Sequence, residues 1–133
     1  MINKILMLIL VIGSVSGCTT GKLHYTDASG KRVLGCDVEF VGLPSVDKYA
    51  VEYALSLCAR GLVKKGYSID TQKQFLLTKD LSIPQPACGQ SWNHDAAKSR
   101  YKSGALSDKE YGYIVAHIDL GLAATNTCSE AVD

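Results

Sequence analysis

Five cysteines constrain this chain more than any other feature. Cys18 follows an N-terminal apolar run, while Cys36, Cys58, Cys88 and Cys128 are spread through the remainder. If the compartment is oxidising, those four read as two disulfides, and each would clamp distant stretches of chain whatever elements lie between them. The N-terminus bears on which compartment that is.

Asn3-Lys4 gives a short positive start, and Ile5 to Ile12 is an unbroken apolar run followed by small residues up to Cys18. A membrane-spanning helix needs about 20 apolar residues, so a run this short has the layout of an export signal rather than a span. Val15-Ser16-Gly17-Cys18 resembles the bacterial lipobox, in which an aliphatic residue and two small residues precede the cysteine that receives diacylglycerol. The resemblance implies cleavage before Cys18 and a lipid anchor on its sulfur. Each buried methylene contributes about 0.8 kcal/mol, so two or three acyl chains would hold the protein on its membrane. With Thr19 rather than Asp after the cysteine, the family pattern implies the outer membrane, facing the periplasm, if the cell is Gram-negative. The expected organisation is a signal peptide over residues 1–17, a lipidated tether over 18–22 and one domain over 23–133.

Removal of residues 1–17 leaves 116 of 133, enough for a single domain with a modest core. Lys and Arg number 14 against 13 Asp and Glu, and the leader holds only Lys4, so the mature chain balances. The longest basic runs are Lys31-Arg32 and Lys64-Lys65, too small for the clustered positive surface that nucleic acid requires.

Four cysteines allow three pairings, and the elements weigh them. Leu23 to Thr26 and Val33 to Val41 read as strands around an Asp27-Ala28-Ser29-Gly30 turn. Pro44-Ser45 opens a helix whose apolar residues recur from Val46 to Leu62 at three- and four-residue spacing, and Lys64-Lys65-Gly66 closes it. Cys36 lies about 20 Å back along its strand from the connection, and Cys58 about 20 Å along the helix. The two sulfurs reach the same height, which favours Cys36 with Cys58 and leaves Cys88 with Cys128; the other two pairings remain open. No Cys-x-x-Cys pair exists, so neither zinc nor another metal is expected.

Tyr67 to Asp70 and Gln74 to Thr78 read as two further short strands, and Asp80 to Gln90, with Pro84, Pro86 and Gly89, as a surface crossing. Ser91 is a candidate cap for a helix ending near Ser103, and Ser107-Asp108-Lys109-Glu110 is a capping box for another. In that last helix Tyr111, Ile114, Val115, Ile118 and Leu122 form the expected buried stripe. The stretch from Tyr101 to Tyr111 resembles SHOCT-type C-terminal helical hairpins, which implies an interaction or oligomerisation tail. A plain helix-turn-helix packed on the domain's own sheet fits the same letters and is the reading preferred here. The expected fold is α+β in the order β-β-α-β-β-α-α: a small antiparallel sheet, one central helix and a C-terminal helical hairpin, held by two disulfides.

Little here points to chemistry. His24, His94 and His117 are not at metal-ligand spacing, and neither His94-Asp95 nor His117 with Asp119 shares a helix face. No Gly-x-Ser-x-Gly elbow or phosphate loop occurs, so neither catalysis nor a cofactor is expected. Tyr49, Tyr53 and Tyr111 read as core, whereas Trp92 and Tyr113 are the candidates for exposed partner contacts, Tyr113 because it points away from the stripe of its helix. The function these readings favour is a non-catalytic, membrane-anchored envelope lipoprotein that binds another envelope protein or supports an assembly. An inhibitor or immunity-type lipoprotein, plugging a wall hydrolase or toxin with the Asp80 to Gln90 loop, is the first alternative. A small hydrolase is the second, and requires a His, an acid and a nucleophile in one cleft.

Overall fold

A computed structural model describes residues 17–128; residues 1–16, with nearly all of the expected export signal, and residues 129–133 lie outside that part. The fold is α+β. In chain order it comprises β1 (Gly17–Thr26), β2 (Arg32–Gly42), α1 (Pro44–Lys64), β3 (Ser68–Ile69), a 3-10 helix (Thr71–Leu77), α2 (His94–Lys102) and α3 (Asp108–Asp119). The three strands form an antiparallel sheet in the order β2-β1-β3.

The β1–β2 hairpin is closed by Asp27, whose Oδ1 accepts the backbone N–H groups of Ser29 and Lys31 at 2.9 Å each. Along β2 the register passes from Leu23 opposite Cys36 to His24 opposite Leu34, leaving Gly35 as a bulge. A Cβ at Gly35 would sit 2.7 Å from the Tyr25 ring and 2.9 Å from Leu62, so the bulge falls where no side chain fits. Cys36, Val38 and Phe40 then join Leu23 against α1.

Helix α1 is the centre of the molecule. On one face Val51, Leu55, Ala59 and Leu62 pack with Leu23, Cys36, Ile69 and Leu76 beneath the sheet. On another, Ala50 and Tyr53 meet Tyr113 and Ala116 of α3. A third cluster joins Trp92, Ala97, Leu106 and Ile114 between α2 and α3. Burying a single large aliphatic side chain contributes about 1.5–3 kcal/mol, so clusters on both sides of α1 make it the element that the others depend on.

Four sequence expectations are corrected. Residues 18–22, read as a tether, are the first half of β1: they pair with residues 37–41, and Gly21 lies so close to α1 that a Cβ there would meet Leu55 at 2.8 Å. Each of these five residues has a cross-strand partner on the 11-residue β2. The expected strand Gln74 to Thr78 is instead part of the 3-10 helix, where the tight spiral sends Leu76, 2 % exposed, into the core and leaves Phe75 outside. The cap of α2 is Asn93 rather than Ser91: its Oδ1 accepts the Ala96 N–H at 2.8 Å, because Trp92 must lie in extended chain to reach the core. In α3 the buried residues are Gly112, Tyr113, Ile114 and Ala116, whereas Leu122 lies beyond the helix and is exposed.

Candidate functional site

The described cysteines divide as their spacing suggested. Cys36 and Cys58 are bridged with Cα atoms 6.4 Å apart, and Cys88 and Cys128 are bridged at 5.4 Å. Cys18 is unbridged and exposed, opposite Val41 near the start of β1. Glu39 on the neighbouring strand pushes the thiol's pKa up. A thiol held protonated in this way is a poor nucleophile.

Trp92 and Tyr113, expected as exposed contacts, are both buried, at 4 % and 1 % exposure. Trp92 donates its indole N–H to the Pro84 carbonyl at 2.8 Å, and the Arg100 guanidinium covers its ring at 4.9 Å. Tyr113 donates its hydroxyl to Glu52, which pairs with Lys79 at 3.4 Å. Burial and the Glu52 carboxylate together push the Tyr113 pKa far up. Face-counting failed for Tyr113 because α3 is wedged between α1 and the Trp92 cluster, so two of its faces are buried. Pro84, held by Trp92, and the half-buried Ile83 also tie the 80–90 segment to the core rather than leaving it as a protruding loop.

A cleft of about 430 Å³ lies where the end of β2 and the start of α1 meet α2 and α3. It is lined by Phe40, Val41, Gly42, Leu43, Val46 and Asp47 from one side and by His94, Lys98, Tyr111, Val115 and Asp119 from the other. His94 Nε2 lies 2.7 Å from Asp119 Oδ1. The pair escaped sequence reasoning because its members are 25 residues apart and meet only when α2 and α3 pack side by side. Asp47, in the first turn of α1, is 6 % exposed, and its Oδ2 is buried with no hydrogen-bond partner. Burial pushes its pKa up, and the nearby carboxylate adds to the burial that raises the Tyr111 phenol. The helix dipole favours a negative charge here, yet no donor offsets the desolvation.

A second, shallower groove of about 520 Å³ follows the Cys36–Cys58 bridge, lined mainly by Val38, Ala54, Leu57, Leu120 and Leu122. On α3, His117 has its Nδ1 2.9 Å from the Tyr53 hydroxyl, and burial lowers the His117 pKa.

No Ser, Thr or Cys lines the first cleft, and the hydroxyl on its wall is the Tyr111 phenol. Among the described residues no group of three His, Cys, Asp or Glu side chains gathers as metal donors, and no helix is long and apolar enough to cross a membrane. No family model, no curated protein and no solved structure matches this chain.

Proposed function

We propose that the chain is a bacterial envelope lipoprotein, anchored by lipid on Cys18, that acts by binding another envelope protein and not by catalysis. The observation that carries this reading is Cys18 itself. It closes a Val15-Ser16-Gly17-Cys18 sequence behind a short apolar run, and it is left unbridged while Cys36, Cys58, Cys88 and Cys128 are paired. A domain with two disulfides fits the oxidising side of a membrane. The outer membrane, facing the periplasm, is the location in a Gram-negative cell.

Because β1 is paired from Gly17 onward, lipid on Cys18 would hold the Val41 end of the sheet against the bilayer with almost no slack. The groove beside the Cys36–Cys58 bridge is the surface proposed for the partner, since Leu120 and Leu122 stand 46 % and 45 % exposed there.

The test is to grow producing cells with an alkyne-bearing fatty acid, then measure the label and the N-terminal mass of the purified protein. Label on an N-terminal Cys18, abolished in Cys18→Ser, is the expected result; an unlabelled chain beginning at any other residue refutes the anchor. Crosslinking in intact cells should give a defined protein adduct that Leu122→Lys weakens. Monomer alone at every crosslinker length would refute the partner reading.

A further inference from the structure

Asp47 presents a problem that the rest of the fold does not solve. Its carboxylate lines the 430 Å³ cleft, its Oδ2 is buried without a donor, and no Lys or Arg of the described chain forms an ion pair with it. A buried carboxylate of this kind is stabilised by a ligand that brings its own positive charge and N–H donors. Gly42 adjoins it: a Cβ there would lie 3.3 Å from Oδ1 and 3.4 Å from Oδ2, so a side chain would crowd the carboxylate that glycine leaves open.

The other lining residues extend the pattern. Lys98 brings an ammonium able to donate to an anion, whereas His94 Nε2 is already paired with Asp119 Oδ1 at 2.7 Å. The remaining edge is apolar, with Val41 68 % and Leu43 54 % exposed, and Val41 is the cross-strand partner of Cys18. A carboxylate, an ammonium and an exposed apolar edge beside the anchor point are together the complement of the groups that one kind of molecule carries. A phospholipid with a primary-amine headgroup carries an ammonium, then a phosphate, then acyl chains.

We infer that this cleft binds the headgroup of an aminophospholipid of the phosphoethanolamine type, the ammonium on Asp47 and the phosphate on Lys98. The inference rests on the lipid-anchor reading for its orientation, since only an anchor at Cys18 turns the Val41–Leu43 edge toward the bilayer. The volume is in the range of small-ligand sites. Burial raises the Asp47 pKa, and an ammonium on the carboxylate would reverse that tendency.

The experiment uses the full chain purified in detergent and labelled with nitrogen-15, following the amide signals of Gly42, Asp47 and Val115. O-phosphoethanolamine should move them saturably, and O-phosphocholine, whose trimethylated nitrogen has no N–H to donate, should bind at least tenfold more weakly. Asp47→Asn, and independently Gly42→Ala, should each weaken phosphoethanolamine at least tenfold while thermal melting shows both variants folded. In nanodiscs, the same signals should move with phosphatidylethanolamine and stay still with phosphatidylcholine. Equal binding of phosphocholine, glycine binding as well as phosphoethanolamine, or indifference to both variants overturns the site. Binding of the free headgroup with no response to the lipid overturns the lipid as its source. A missing lipid mass on Cys18 is read separately, so failure of the anchor and failure of the cleft are distinct results.

Discussion

Asp47 shows how a single side chain can work against the fold that holds it. Its folded pKa lies above the usual 3.8, so between that value and the raised one the folded state binds more protons than the unfolded chain. Stability from this group therefore falls as pH rises through that window, the reverse of an ion-paired carboxylate. Leaving a buried polar atom unpaired costs about 1–3 kcal/mol, against about 0.5 kcal/mol regained from the helix dipole. Asp47→Ala is accordingly expected to stabilise the ligand-free protein by about 1 kcal/mol at pH 7 and to change little below pH 3.8, where the carboxyl is protonated in both states. Denaturant titrations at the two pH values decide it; equal effects would mean that the charge is not what the site opposes. Neither Asp47 nor the His94–Asp119 pair was legible as a site in the letters. Asp47 stands in the first turn of α1, where an acid is ordinary, and helical geometry separates His94 from Asp95 and His117 from Asp119. The pairing of the four bridged cysteines was legible because spacing along a strand and a helix brings Cys36 to Cys58 and leaves Cys88 with Cys128.

At the scale of elements, α1 was readable to its bounds because Pro44 opens it, apolar spacing sustains it and Lys64-Lys65-Gly66 closes it. The Ser107 capping box of α3 was readable for the same reason: Ser107 Oγ accepts the Glu110 N–H at 3.1 Å, and Glu110 accepts the Ser107 N–H at 2.8 Å. What the letters hid was the contact between these helices. A Cβ on Gly112 would lie 2.5 Å from the Val46 carbonyl oxygen and 2.8 Å from the Tyr49 Cβ, both on the first turns of α1. The obstructing atoms include backbone, so they cannot swing aside. Gly112→Ala should therefore cost about 2–3 kcal/mol by forcing α3 off α1. Gly61→Ala, in the same molecule but with nothing within 4 Å, should gain about 0.5–1 kcal/mol from helix propensity and the lower entropy of the unfolded chain. Chemical denaturation of the two variants separates the effects, and a tolerated alanine at position 112 would show that the helices do not meet at that distance.

For the molecule as a whole, the two disulfides should not contribute as loop length alone dictates. Their sequence separations of 22 and 40 residues correspond to about 3.4 and 3.9 kcal/mol in the chain-entropy treatment, which ranks Cys88–Cys128 slightly higher. Burial reverses that order. Cys36 is 7 % exposed within the cluster of Leu23, Leu55 and Leu62, so Cys36→Ala with Cys58→Ala removes core packing along with the crosslink. Cys88 and Cys128 instead join two irregular stretches, tied further by Gly89 N–H to Asn126 O and Asn126 N–H to Gln90 O, each at 2.8 Å. With that bridge gone, the segment after α3 can open while α1, α3 and the sheet keep their contacts, so the loss is local before it is global. The inner pair of alanines should lower Tm by roughly 15 °C or more. The outer pair should lower it by only a few degrees, while amide exchange accelerates selectively at residues 122–128. Equal drops in Tm, or protection retained across that segment, would mean that the C-terminal stretch is part of the same cooperative unit as α1.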